Sequence, residues 1–241
     1  MRIALIQTSA IGDIVIALPI AHYFIKLGHQ VVWPIDEIYF DFFKEAAPNI
    51  DFMPVPRAHT GVNTLAYFLT FPLSVADHFN CERKFILYSK LGDMQLGNEH
   101  LAKSLKFDEY KYAVAGVPFE QKWELEVVRN YAREQELLDR LGLSLSEDYV
   151  VVQDSCGDGS QRIPIEIPQE LQETCRIIPI QNLTKSPFDW IPVFERAKEM
   201  FLIDSAPANI IEQLRITTRK TLYVRSPMSH TPVFARGWFF K

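Results

Sequence analysis

Short apolar runs alternate with helix-length segments through the first part of the chain. The runs that have the length and composition of buried strands are Arg2–Gln7, Gln30–Pro34, Ile50–Val55 and Lys84–Tyr88. The segments between them have helical spacing: Ile14–Leu27, Glu37–Ala47 and Thr64–Phe79, the last interrupted by Pro72. This alternation predicts βαβ units, in which parallel strands form one sheet with helices on both faces and right-handed crossovers.

A second alternation follows a long charged segment. Phe119–Leu141 contains no glycine or proline and predicts one amphipathic helix, which Gly142 ends. The strands predicted after it are Tyr149–Gln153, Arg176–Ile180, Met200–Ile203 and Thr221–Arg225. The helices predicted between them are Pro187–Arg196 and Ala206–Leu214. We therefore expect an α/β fold with two Rossmann-like lobes, the second abbreviated: an N-terminal lobe at 1–115, a linking helix region at 116–147 and a C-terminal lobe with its tail at 148–241.

Composition excludes several classes of protein. Of the 241 residues, 48% are apolar and 23% charged, which is typical of a globular chain and not of a disordered one. The net charge of −5 disfavours a protein that coats nucleic acid, although it leaves a local basic patch open. The cysteines Cys81, Cys156 and Cys175 form no CxxC, which favours a reducing cytoplasm over a disulfide framework or a zinc knuckle.

Targeting and membrane signals are weak in this sequence. The N-terminus lacks a charged region followed by a cleavable apolar stretch. The apolar stretch Ala66–Ala76 is too short to cross a bilayer and contains a proline. We expect a cytoplasmic protein, with loose membrane association through an exposed apolar patch left open.

The loop from Thr8 to Asp13 joins the first predicted strand to the first helix. Ligands bind at the carboxyl ends of parallel strands, and a helix N-terminus there favours a phosphate or a developing anion. The loop contains neither GxGxxG nor GxxxxGK[ST], which disfavours dinucleotide oxidoreductases and P-loop NTPases. From the local sequence, Asp13 is either a first-turn acid that complements the helix dipole or a functional carboxylate.

Two polar segments of the second half follow predicted strands. The loop Asp154–Gln161 contains Ser155 and Ser160 and precedes Arg162, so it is either a solvated turn or a pyrophosphate site. Asp204 and Ser205 are either helix N-caps or ligands of a sugar or phosphate. The six histidines show no HxH or HExxH spacing, and neither a DxD pair nor a GxSxG elbow is present. We therefore expect no metal site and no cofactor.

These elements together resemble a known family. Met1–Glu37 is similar to the N-terminus of glycosyltransferase family 9, the ADP-heptose:lipopolysaccharide heptosyltransferases. That family has a strand, a T-S-x-x-G-D loop, a helix containing L-P and a second strand that ends near an acidic pair. In this chain these features are Thr8–Asp13, Leu18-Pro19 and Asp36-Glu37.

The second half is similar in two further places. Ser160–Pro164 lies where the family has a Lys/Arg-x-W-P segment that helps to bind the donor's phosphates. Phe201–Asn209 resembles the family's strand followed by D-[ST]-G-x-x-H, with Ala206 in place of the glycine and Asn209 in place of the histidine. The chain is shorter than the family, mostly in the second lobe, and 56–145 matches no part of it.

The resemblance implies a GT-B-like architecture, in which the N-terminal lobe holds the acceptor and the C-terminal lobe holds a nucleotide sugar across a cleft. It implies inverting transfer without a metal, with Asp13 as the general base. The residues expected to bind the nucleotide-sugar donor are Ser9, Gly12, Ser155, Ser160, Gln161, Arg162, Asp204, Ser205 and Asn209.

Several alternatives stay open at this point. A glycan acceptor of lipopolysaccharide type is favoured, while a protein or a modified DNA base is open; the net charge disfavours DNA without excluding it. A sugar-nucleotide epimerase of the same shape is a further enzyme class. The non-enzyme alternative is a degenerate relative that binds a nucleotide or a partner protein without turnover, which Ala206 and Asn209 favour and Gly12-Asp13 disfavour.

Overall fold

The chain forms two units, each built around its own parallel sheet. The computed structural model describes residues 1–144, 147–155, 162–225 and 231–241. Contacts divide the chain into Met1–Val128 and Arg129–Lys241. This boundary lies inside the predicted linking region 116–147.

The first unit contains a four-stranded sheet. Its strands are β1 (Arg2–Ile6), β2 (Gln30–Asp36), β3 (Asp51–Val55) and β4 (Arg83–Ile86). They pair in parallel in the order β3-β2-β1-β4, which makes β1 an interior strand. A two-stranded antiparallel hairpin follows, made of β5 (Lys90–Leu91) and β6 (Met94–Gln95).

Helices cover both faces of this sheet, as the alternation predicts. They are α1 (Ile11–Lys26), α2 (Glu37–Ala46), α3 (Arg57–Thr60), α4 (Phe71–His78), α5 (Glu99–Ser104) and α6 (Phe107–Ala115), with a π-helical turn at Ala66–Thr70 and a 3₁₀ helix at Phe119–Trp123. On one face, Phe24 of α1 stacks on Phe85 of β4 with ring centroids 5.3 Å apart. On the other, Ala76 of α4 packs against Ala4 and Ile6 of β1.

The second unit contains a five-stranded sheet. Its strands are β7 (Tyr149–Gln153), β8 (Arg176–Pro179), β9 (Glu199–Ile203), β10 (Arg219–Tyr223) and β11 (Trp238–Phe240), all parallel in the order β11-β10-β9-β7-β8. Its helices are α7 (Tyr131–Leu141), α8 (Gln169–Thr174), a 3₁₀ helix at Pro187–Trp190, α9 (Ile191–Arg196) and α10 (Ala206–Gln213).

The two faces of the second sheet are covered unequally. Helices α7, α9 and α10 supply the core of one face, together with Trp238. The other face packs against α8 and against Ile163, Ile165 and Ile167, which belong to no helix. The aromatic tail is fixed because Glu212 accepts hydrogen bonds from the Trp238 indole (2.7 Å) and the Ala235 amide (2.9 Å).

The prediction of one helix over Phe119–Leu141 is wrong. A 3₁₀ helix ends at Trp123, and α7 begins only at Tyr131. Two interactions favour the break: the Val128 amide donates to the Ala46 carbonyl at 2.8 Å, and the Asn130 side chain caps α7 by accepting from the Arg133 amide at 3.1 Å. An N-cap residue has non-helical dihedrals, so a helix cannot run through it.

No helix within the described ranges is long and apolar enough to cross a membrane.

A buried ion pair joins the 3₁₀ helix of the first unit to α6. Lys122 Nζ lies 2.7 Å from Asp108 Oδ2, and both side chains are fully buried. Removing one member of such a pair leaves the other charge in a medium that solvates it poorly. The pair therefore fixes where α6 lies against the rest of the first unit.

The Lys122→Met variant tests this dependence. We expect the free energy of unfolding to fall by about 3–5 kcal/mol, because the Asp108 carboxylate stays buried without the ammonium. Urea denaturation measures the change. The control is Lys103→Met, which removes the exposed pair with Glu99 and should leave the midpoint unchanged. Equal midpoints for wild type and Lys122→Met would contradict this role.

Candidate functional site

Asp13 lies in the first turn of α1, directly beyond the carboxyl end of β1. Its side chain is 30% exposed. The turn before it is strained: Ala10 has φ 66° and ψ 101°, a left-handed conformation that is unfavourable for a residue with a Cβ. The Ala10 carbonyl still accepts the first helical hydrogen bond, from the Ile14 amide at 3.0 Å. The strained backbone of Ala10 therefore lies at the residue where α1 begins, and this start of the helix places Asp13 at the edge of the sheet.

Side chains of the unit hold the loop that precedes Asp13. The Tyr88 hydroxyl accepts hydrogen bonds from the amides of Thr8 (2.7 Å) and Ser9 (3.2 Å). The Gln7 side chain donates to the Ser9 carbonyl at 2.9 Å, and the Trp33 indole donates to the Gln7 carbonyl at 3.0 Å. Burial raises the pKa of Tyr88, so this hydroxyl stays neutral at physiological pH. The backbone amide of Ser9 is thus used within the protein.

Lys111 of α6 brings a positive charge to Asp13. Its Nζ lies 2.9 Å from Asp13 Oδ1, 2.7 Å from Gln7 Oε1 and 3.3 Å from the Leu87 carbonyl. The Lys111 side chain is only 4% exposed. Sequence reasoning missed this residue, since it lies in the unmatched part of the chain and 104 positions from Gln7. The one sequence signal is a lysine between two tyrosines on a helix.

A cavity of about 310 Å³ opens beside this ion pair. Its lining includes Asp13, Tyr88, Lys90, Phe107, Tyr110 and Lys111. Aromatic rings with a few convergent charged groups are typical of sites for polar organic ligands. The chemistry fits a ligand that presents a hydroxyl to the Asp13 carboxylate.

The acidic pair at the end of β2 anchors the segment after β3. The Asp36 side chain is fully buried and accepts from Arg57 Nε (2.9 Å) and Nη2 (2.7 Å) and from the Tyr67 hydroxyl. Burial alone would raise the pKa of Asp36, but these hydrogen bonds outweigh it and hold the pKa below its usual value. Glu37 accepts from the Arg57 amide at 2.9 Å. Both acids therefore bind Arg57, and Asp36 also caps α2.

The predicted donor-side residues of the second unit meet at the carboxyl ends of β7 and β9. Ser205 donates to Gln153 Oε1 at 2.5 Å, and the Asn209 side chain donates to the Ser205 carbonyl at 2.9 Å. Asn209 is 3% exposed, and its Oδ1 has no hydrogen-bond partner among the described residues. These contacts bring Ser205 and Asn209 together at the start of α10.

Asp204 binds Arg225 and does not cap the helix that follows it. It is 4% exposed and accepts from the Arg225 amide (3.1 Å), from Arg225 Nε (2.7 Å) and from the Thr231 hydroxyl (3.3 Å). The alternative that Asp204 or Ser205 caps α10 is wrong, because no side chain makes a cap hydrogen bond there. The competing interaction for Asp204 is the charge-assisted one with Arg225.

The loop after β7 is described at its two ends. Ser155 forms an isolated antiparallel bridge with Arg162. The Arg162 guanidinium lies 3.2 Å from Asp154 Oδ2 and is 75% exposed. Ser160 and Gln161 lie outside the described residues. Within the described parts of the chain, no group of three His, Cys, Asp or Glu residues could hold a metal ion.

Comparison with known proteins adds information on the fold. No family model matches the chain, and no curated protein matches it. A glycosyl transferase family 9 protein from Veillonella parvula DSM 2008 is 13% identical, with a TM-score of 0.66 over 100% of this chain and 86% of that chain. The E. coli ADP-heptose lps heptosyltransferase II is 9% identical, with a TM-score of 0.63 over 100% and 90%. This chain has the fold of glycosyltransferase family 9.

A third structure extends the same comparison. The E. coli heptosyltransferase WaaC with ADP is 13% identical, with a TM-score of 0.52 over 100% of this chain and 92% of that chain. At these identities the likeness concerns the fold. The expected GT-B-like class, α/β with a parallel sheet in each of two Rossmann-like units, is confirmed.

The strain at Ala10 can be measured through stability. Ala10→Gly removes the Cβ that makes this backbone conformation unfavourable, so we expect the free energy of unfolding to rise by about 1 kcal/mol. The control is Ala113→Gly at an exposed position inside α6, which should lower it by about 1 kcal/mol. Thermal unfolding measures both variants. A decrease for Ala10→Gly would show that the turn is not strained.

Proposed function

We propose that this protein is an inverting glycosyltransferase that works without a metal and moves a sugar from a nucleoside-diphosphate donor to an acceptor hydroxyl. The observation that carries the proposal is the position of Asp13 at the carboxyl edge of the first sheet, on the wall of a cavity and beside a buried lysine. A carboxylate in that position can accept a proton from a bound hydroxyl.

The proposed reaction is a single displacement. Asp13 takes the acceptor's hydroxyl proton while the acceptor oxygen attacks the anomeric carbon of the donor. The bond from that carbon to the diphosphate oxygen breaks, and the nucleoside diphosphate leaves with the electron pair. One displacement inverts the configuration at the anomeric carbon. The cavity of the first unit holds the acceptor, and a glycan hydroxyl suits its aromatic and charged lining.

The donor binds, in this proposal, at the edge formed by β7 and β9 in the second unit. The exposed Arg162 guanidinium and the N-terminus of α10 supply positive charge to the leaving diphosphate. Ser155, Ser205 and Asn209 lie at the same edge, where Asn209 Oδ1 is an acceptor without a partner among the described residues. Asp204 acts by holding Arg225 there. Roles for Ser9, Gly12, Ser160 and Gln161 in donor binding stay predictions.

The choice of donor nucleotide starts from the solved structures of the same fold. The E. coli WaaC structure contains ADP, so ADP-sugars come first, followed by UDP- and GDP-sugars. The cytoplasmic location and the loose membrane association also stay predictions.

A second candidate is a protein that binds a nucleotide sugar without turnover. The observation that favours it is the start of α10, where Ala206 and Asn209 replace the glycine and histidine of the resembling motif and Asn209 Oδ1 lacks a partner among the described residues. A thermal-shift screen identifies the donor for both candidates. Slow release of nucleoside diphosphate from that donor, with water in place of the acceptor, occurs only for the enzyme.

The Asp13→Asn variant tests the general base. The amide keeps the shape of the side chain but does not accept the proton, so we expect the rate of donor hydrolysis to fall at least about 10²-fold. Donor affinity should stay unchanged in calorimetry. If Asp13 were only a first-turn charge, turnover would be normal. A loss of stability does not separate the two roles, because the change also removes the charged partner of the nearly buried Lys111. Normal turnover in this variant would end the catalytic assignment.

The Arg162→Ala variant tests the donor side. Because the guanidinium is exposed, we expect a loss near the low end for a charge-assisted hydrogen bond, about 1.5 kcal/mol or roughly tenfold in Kd for the nucleoside diphosphate. Arg219→Ala is the control, since Arg219 is 67% exposed and paired with Glu199 at the opposite end of the strands. Calorimetry that gives the same Kd for both variants would remove Arg162 from the site.

A further inference from the structure

The Lys111 ammonium group contacts oxygen atoms of the protein, although the residue also lines the cavity. An ammonium group has three N–H donors. Three oxygen atoms surround Lys111 Nζ within 3.3 Å: Asp13 Oδ1, Gln7 Oε1 and the Leu87 carbonyl. They come from α1, from the end of β1 and from the end of β4. With its side chain 4% exposed, Lys111 directs its ammonium group to these three oxygens of the protein.

Asp13 is held through one of its two carboxylate oxygens. The ion pair with Lys111 Nζ is recorded at Oδ1, 2.9 Å away, and no hydrogen bond to Oδ2 is found among the described residues. The side chain is 30% exposed and borders the 310 Å³ cavity. Oδ2 is therefore the oxygen that can meet a ligand.

The groups around Lys111 are held in place by further hydrogen bonds. The Gln7 amide group is oriented because it donates to the Ser9 carbonyl at 2.9 Å. The next residue, Tyr112, donates from its hydroxyl to the Ile16 carbonyl of α1 at 2.8 Å. Helices α1 and α6 are thus tied one residue beyond Lys111 and within one turn of Asp13. An ion pair held in this way has little freedom to change its geometry.

We propose that Lys111 is a positioning residue for the general base, which fixes the Asp13 carboxylate with Oδ2 as the proton-accepting oxygen. This inference rests on the proposed function of Asp13. The competing interpretation is structural: Lys111 would only satisfy Gln7 and the Leu87 carbonyl.

A double-mutant cycle separates the two interpretations. Lys111→Met keeps the length of the side chain and removes its charge. Donor hydrolysis is measured for wild type, Lys111→Met, Asp13→Asn and the double variant. We expect Lys111→Met to lower kcat about 10–100-fold, the cost of a misplaced catalytic group, with the donor KM within about twofold of wild type. In the Asp13→Asn background, Lys111→Met should lower kcat no further, because it acts through Asp13.

The outcomes of this cycle are distinct. Normal kcat in Asp13→Asn would overturn the proposed general base. A loss in Asp13→Asn together with a further full loss in the double variant would overturn the positioning role and leave the general base standing. Lys103→Met is the control for removal of a lysine from an exposed ion pair and should keep the wild-type kcat.

Two further measurements test the positioning role of Lys111. Lys111→Arg preserves the charge but not the fit to three converging oxygens. If Lys111→Met does not fold, we expect Lys111→Arg to show a reduced kcat with unchanged KM, and a wild-type kcat would overturn the inference. In a crystal structure of either variant, we expect Asp13 in more than one rotamer. A single Asp13 rotamer identical to the one described here would overturn the positioning role without reference to activity.

Discussion

Parallel pairing on both sides of β1 is the constraint on which the first unit depends. Ala4 of β1 is in register with Val32 of β2 and with Lys84 of β4, so β1 is held between two neighbours. The chain leaves such a strand only at the carboxyl edge of the sheet, and α1 begins five residues after β1 ends. This geometry carries Asp13 to the edge and brings Leu87, just beyond β4, within reach of the same lysine.

Much of the fold follows from local patterns. The parallel strands β1, β2, β7 and β9 and the helices α1 and α10 are predicted within a few residues, because buried parallel strands are continuous apolar runs. The prediction of one long helix over Phe119–Leu141 is wrong because the capping side chain of Asn130 and the tertiary hydrogen bond of Val128 act against helix propensity. Hydrophobic spacing records neither of these interactions.

Some residues of the candidate site can also be predicted from local sequence, and others cannot. Asp13 is predictable because the T-S-x-x-G-D loop follows a strand and opens a helix. Lys111 is not, since its partners are distant in the sequence and belong to three separate elements. Asp204 shows the limit of a local motif: its place after an apolar strand predicts a cap or a ligand contact, while the structure pairs it with Arg225, 21 residues later. Long-range charge pairs of this kind leave no periodic trace in a sequence.

The anomeric configuration of the first sugar released from the donor tests the central claim most directly. The measurement is ¹H NMR of donor hydrolysis with water as the acceptor, recorded before the free sugar equilibrates between its anomers. A single displacement assisted by Asp13 predicts a sugar of configuration opposite to that of the donor, formed by the wild-type protein and far more slowly by Asp13→Asn. Release with retained configuration, or at the same rate in both proteins, would contradict the account.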